Sequence, residues 1–136
     1  MTEAAADCAF ARAILAGEAG CTLARRVARG EIETLACASP PAAINCGTLL
    51  ALLRERATFA LRLPPPGRPL PHVQSMRLQC GGAGALARAL GEDRPADIHA
   101  LVADAKARWG ELAGLPFAPL VGDLAAWSPR RRSGPA

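Results

Sequence analysis

The segment LLALLRERATFAL, Leu49–Leu61, is the stretch on which the fold turns. Leu49, Leu50, Leu52 and Leu53 give it a broad apolar face at helical spacing, and Thr48 is suited to cap its N-terminus. It reads as a central core helix, with the rest of the chain wound around it.

Upstream, Pro40-Pro41 reads as a firm break, because neither residue donates a backbone N–H and Ser39 is pushed toward an extended conformation. Before the break, Thr2 to Ala16 is predicted to be a helix, with Phe10, Ile14 and Leu15 on one face and Gly17 and Gly20 at its end. Thr22 to Arg29 is predicted as a second helix closed by Gly30. GEIETLACA then either extends it or forms a short turn.

Downstream, LPPPGRPLP, Leu63 to Pro71, is a stiff polyproline connector. HVQSMRLQCGG is read as a helix, with Gly81-Gly82 as its C-cap; the alternative pairs TFALRL with VQSMRLQ as a hairpin across the proline loop. AGALARAL is a short helix ended by Gly91. PADIHALVADAKARWGEL is a second strong helix, with Ile98, Leu101, Val102, Ala105 and Trp109 on one face. VGDLAAW makes one last turn. The expected fold is therefore mainly α: a compact irregular bundle of roughly five to seven short helices, with one short β-hairpin around the proline loop as the open alternative. Residues 1–127 are expected to form a single domain and 128–136 a disordered basic tail.

The totals agree with that fold class. At 136 residues the chain has room for one ordinary domain. Its apolar half is mostly Ala and Leu; the aromatics are Phe10, Phe59, Trp109, Phe117 and Trp127, with no Tyr. Small aliphatic side chains suit close helix packing. The N-terminus lacks a basic stretch ahead of its apolar residues, so no signal peptide is expected, and no apolar run approaches the roughly 20 residues of a membrane span. A cytoplasmic location follows as the expectation, and there disulfides are rare. The five cysteines therefore need another explanation.

Cys21, Cys46 and Cys80 each adjoin glycine, and Cys37 stands just before the Ser-Pro-Pro turn. Ligand thiolates need backbone N–H groups turned toward sulfur, which glycine permits. Cys21, Cys37, Cys46 and Cys80 at predicted element ends are accordingly the candidate ligands of an iron–sulfur cluster, with zinc as the alternative. Zinc sites usually draw on closely spaced ligand pairs, and no C-x-x-C is present. Cys8, mid-element in ADCAFA, reads as an ordinary buried thiol. Pairing of Cys37 with Cys46 as a redox disulfide is a further alternative. His72 is a possible substitute ligand; His99 has no partner signalled nearby.

Residues 21–90 carry nine arginines against three glutamates. Arg25, Arg26, Arg29, Arg54 and Arg56 are expected to form a docking face for a larger acidic protein, an oxidoreductase or its assembly machinery. Nucleic acid is the weaker partner, because the basic segment holds only Phe59 to stack on a base. The G-x-G-x-x-A string at Gly82, Gly84 and Ala87 lacks the preceding strand and βαβ unit of a phosphate-binding loop. The function expected is a small accessory protein rather than a self-sufficient enzyme. The alternative is a metal-free helical adaptor or regulator whose basic face binds protein or nucleic acid.

Overall fold

Gly30 decides the first third of the chain. In the computed structural model, which describes residues 6–129, Gly30 has φ +67. With Glu31 it makes a two-residue turn between β2 (Ala24–Arg29) and β3 (Ile32–Cys37), which pair antiparallel from Ala24↔Cys37 to Arg29↔Ile32. A positive φ at the first loop position is what such tight hairpins demand, and glycine adopts it without a Cβ clash. β1 (Ala6–Asp7) adds to the other edge of β3, giving the order β1-β3-β2. The two helical readings at Thr22–Arg29 and Glu31–Ala36 are thus corrected to strands. The hairpin itself lies at Gly30, while the residues on either side of the proline loop are helical. Ion pairs Arg26–Glu33 and Arg29–Asp7 (2.6 Å) lace the sheet at its exposed surface, where each contributes less than about 1 kcal/mol.

The Pro-Pro break proves to be a helix start. Ser39 is extended (φ −122) and its hydroxyl accepts from the Ala42 N–H at 3.3 Å, while Pro40 and Pro41 open α2 (Pro40–Leu61). Proline is well placed in a first turn, where its missing N–H would have had no partner. The central helix therefore begins eight residues before Thr48. It ends at Arg62, in the left-handed region at φ +52, with the Leu63 N–H donating to the Thr58 carbonyl at 3.0 Å.

From His72 to Ala89 the chain is helical without interruption. α3 (His72–Met76) runs into a π-helical turn (Arg77–Gly81) and on into α4 (Gly82–Ala89). Gly81-Gly82 is not a cap: the helix passes through it because these glycines allow close packing. A Cβ on Gly82 would stand 2.9 Å from Leu53 Cδ1, and one on Gly81 3.0 Å from the Leu124 carbonyl oxygen. The π turn brings buried Gln79 to α1 (Ala11–Leu15), where its Oε1 accepts from the Arg12 and Ala13 N–H groups at 3.0 and 3.3 Å. α5 (Ile98–Trp109) and α6 (Phe117–Ala125) complete the body, and Arg88 joins α4 to α6 through a two-bond contact with Asp123. Phe10, Leu49, Leu53, Leu78, Leu86, Val102 and Leu124 belong to one buried core.

The protein is therefore mainly helical with a small antiparallel sheet at one end. No helix among the described residues is long and apolar enough to cross a membrane. The expected first helix is reduced to α1, preceded by β1, and residues 2–5 of that expectation lie outside the described residues. So does the expected basic tail from Arg130 onward.

Candidate functional site

The sheet order brings cysteines from distant parts of the chain to one end. Cys37 closes β3, the central strand, between Ala6 of β1 and Ala24 of β2. Cys8 directly follows β1 and is tied to β3 by its N–H, which donates to the Leu35 carbonyl at 3.2 Å. Cys21 enters β2 through a turn in which the Ala24 N–H donates to its carbonyl at 3.2 Å. Cys46 comes from the second turn of α2, which packs against β1 and β3. These four thiols line one small cavity of about 20 Å³, with Phe10, Ile14, Leu23 and Ile98 among its apolar walls.

The loop carrying Cys21 is anchored on α5. Gly20 is bonded through both of its backbone groups: its N–H donates to the Pro95 carbonyl at 3.0 Å, and its carbonyl accepts from the Ile98 N–H at 2.8 Å. The Thr22 N–H donates to Asp97 Oδ1 at 3.1 Å, and its hydroxyl donates to the same carboxylate. Gly20 is required by this contact, since a Cβ there would fall 2.5 Å from the Ala96 carbonyl oxygen. Cys37 donates its S–H to the Ser39 carbonyl at 3.2 Å. The first turn of α5 also brings the exposed His99 to the cavity wall.

All five cysteines are free thiols; Cys8, Cys21, Cys37 and Cys46 are half-buried and Cys80 is buried. Burial, and then the neighbouring Cys21, Cys8 and Cys37, push the Cys46 thiol from its ordinary 9.0 to about 12. Cys8 is raised mainly by burial and also by Cys21 and Cys37, against a lowering contact from the Phe10 N–H. The thiols thus sense one another electrostatically. Two of them disfavour the thiolate form, because burial and crowding of like charge both penalise it. Metal binding at such a group must displace protons. As they stand, no three His, Cys, Asp or Glu side chains among the described residues are close enough together to hold one metal ion.

Of the sequence-predicted thiols, Cys21, Cys37 and Cys46 meet, and Cys80 stands apart. Cys80 sits on the π turn and lines a separate polar cleft with Glu18, Arg88, Asp93, Arg94 and Trp127. Its thiol is pushed up to about 11 by burial and by the Glu18 carboxylate. Cys8 takes the fourth place in the cavity. Sequence reasoning missed it because Asp7-Cys8 was read as helix interior, whereas it leaves a strand. His72 is occupied elsewhere, its Nδ1 lying 3.0 Å from Arg12 Nη1.

The five arginines do not share one face. Arg25 and Arg29 stand on one side of β2 and Arg26 on the other by strand alternation. Arg54 donates to the carbonyls of Pro64, Pro65 and Arg68, holding the proline connector. Arg56 stacks over the Phe117 ring at 4.8 Å. Arg25, Arg26 and Arg29 therefore accompany the thiol end, while Arg54 and Arg56 serve the helical body. No protein-family model, no curated protein and no solved structure matches this chain.

Proposed function

We propose that this protein is a small accessory protein that carries an iron–sulfur cluster, with zinc as the alternative metal, on Cys8, Cys21, Cys37 and Cys46. The observation that supports the reading most is the meeting of four free thiols, from four separate segments, around one cavity. Four cysteine thiolates are the usual ligand set of two-iron and four-iron clusters.

The four thiols supply the sulfur donors that either group uses, while no three ligating side chains among the described residues are gathered closely enough to hold one metal ion. The cavity is small: its 20 Å³ is room for about one water molecule. Taking up a cluster requires the cysteine-bearing loops to move apart, and taking up zinc requires them to close in. The arginines of β2, Arg25, Arg26 and Arg29, then supply the docking contact for a larger acidic protein, an oxidoreductase or its assembly machinery. Arg54 and Arg56 are left to a secondary part in that contact. Docking of this kind weakens with added salt, because exposed charges are screened.

The test is anaerobic purification followed by iron, sulfide and zinc analysis, then reconstitution with ferrous iron and sulfide. Wild-type protein is expected to gain stoichiometric iron and sulfide with broad visible absorption. Cys46→Ser and Cys8→Ser are expected to abolish it, and Cys80→Ser to retain it. A folded wild-type protein that takes up neither iron and sulfide nor zinc overturns the proposal. It would leave a metal-free helical adaptor with buried thiols.

A further inference from the structure

The helical body carries a second opening, and this one is lined by charge. Glu18, Cys80, Arg88, Asp93, Arg94 and Trp127 surround a cleft of about 240 Å³. A neighbouring cleft of about 320 Å³ shares Gly17, Glu18 and Trp127 with it and adds the apolar Ala16, Met76 and Pro129. Together they reach the roughly 300 Å³ or more of small-molecule sites. The first cleft sets two guanidinium groups against two carboxylates; the second has Glu18 alone among apolar side chains. Glu18 and Arg94 enter no ion pair among the described residues. Arg88 gives its Nε and Nη2 to Asp123, which leaves Nη1, lying over Gly84, without a partner among the described residues.

The walls are fixed to one another. Gly81 leaves room for the half-buried Trp127, since a Cβ there would stand 3.0 Å from Trp127 Cβ, and the Trp127 carbonyl accepts from Arg77 Nε at 3.3 Å. The Glu18 N–H donates to the Ala13 carbonyl at 2.9 Å. Two residues on, the Gly20 N–H donates to the carbonyl of Pro95, which follows Arg94. The segments that carry the free carboxylate and the free guanidinium are therefore bonded together, which lowers the entropy lost on binding a ligand between them.

A ligand of one charge sign fits poorly: an anion meets Glu18 and Asp93, and a cation meets Arg88 and Arg94. We infer that the double cleft binds a free α-amino acid with an aromatic side chain. Its carboxylate is held by Arg88 Nη1 and Arg94 and its ammonium by Glu18, through charge-assisted hydrogen bonds. Its ring lies along Trp127 into the apolar cleft beside Met76, where aromatic and thioether contacts add to burial. No residue of either cleft lines the thiol cavity, so this site and the proposed metal centre stand or fall separately.

Calorimetric titration of the full chain with L-phenylalanine tests this. Saturable binding is expected with a dissociation constant of about 1 mM or tighter. Phenethylamine, which lacks the carboxylate, and phenylpropionate, which lacks the ammonium, should each bind roughly tenfold or more weakly, as should glycine, which lacks the ring. Glu18→Gln and Arg94→Gln should weaken phenylalanine by a similar factor; both residues lie outside the buried core, so far-UV circular dichroism should match wild type. Absence of saturable binding at about 10 mM phenylalanine, ten times the expected constant, overturns the inference. So does phenylpropionate or phenethylamine binding as tightly as phenylalanine, which would make the cleft a site for a simple anion or cation. Phenylalanine affinity unchanged in Glu18→Gln or in Arg94→Gln overturns it as well.

Discussion

Cys46 and Cys80 carry thiols raised to similar values, about 12 and about 11, in two regions built on different principles. Cys46 belongs to the sheet end, where short strands, loops and a helix turn bring four half-buried thiols to the wall of one cavity. Cys80 belongs to the helical body, inside a continuous run of helix packed on Leu53 and Leu124, with a carboxylate as its charged neighbour. Burial is the largest cause in both. The second cause separates them: other thiols for Cys46, Glu18 for Cys80. A raised thiol alone is therefore a sign of packing, and only the company it keeps points to chemistry.

The largest effect expected from that contrast is on stability. Leu53 and Leu124 are almost wholly buried in the helical body, and Leu53→Ala or Leu124→Ala should cost about 2–5 kcal/mol. Val27→Ala, half-buried on β2 of the sheet end, should cost less than either. Urea melts of the three variants measure it; a Val27 loss equal to that of Leu124 would show the sheet end to be as tightly built as the body.

A smaller effect should be confined to the thiol end. Gly20→Ala places a methyl against the Ala96 carbonyl and should cost about 1–3 kcal/mol through a forced backbone shift. Because Gly20 precedes Cys21, the same variant should make Cys21 alkylate faster while Cys80 is unchanged, read by mass spectrometry after timed labelling. Uniform acceleration of all five thiols would mean that the two regions unfold together.

The finest effect is in the titration. Both thiols are protonated in the folded state well above the pH at which an unfolded thiol ionises. Their contribution to stability is therefore fully present below about pH 9 and is lost as the pH rises toward about 11 for Cys80 and about 12 for Cys46. Alkylation at pH 8 should be slow at both, since the thiolate is the nucleophile. Glu18→Gln should speed alkylation at Cys80 by removing a neighbouring negative charge, and leave Cys46 as it was. Equal acceleration at the two would remove the distinction between their surroundings.

The mainly helical class, the helix over Leu49–Leu61 and the helix with Ile98, Leu101, Val102 and Ala105 inward were legible along the chain, because helical periodicity persists there over many residues. Ala24–Arg29 and Ile32–Cys37 were not. In stretches of six residues the spacing of apolar positions fits a strand and a helix almost equally, and the deciding feature was the Gly30 turn between them. Pro40-Pro41 misled in the same local way: a pair that cannot continue a helix is well suited to begin one once Ser39 supplies the cap. At the candidate site, glycine-adjacent cysteines pointed to Cys21, Cys37 and Cys46. They pointed equally to Cys80, whose glycines serve helix packing against Leu53 and Leu124.

By itself the sequence determined composition, the long helices and the presence of thiols with no closely spaced motif, since these are local properties. Which thiols meet was decided only by tertiary structure. Cys8 and Cys37 are brought together by strand pairing, Cys21 by the hold of Asp97 and Gly20 on α5, and Cys46 by the packing of α2 on the sheet. Each of these contacts joins residues far apart in the chain, and no local spacing encodes them.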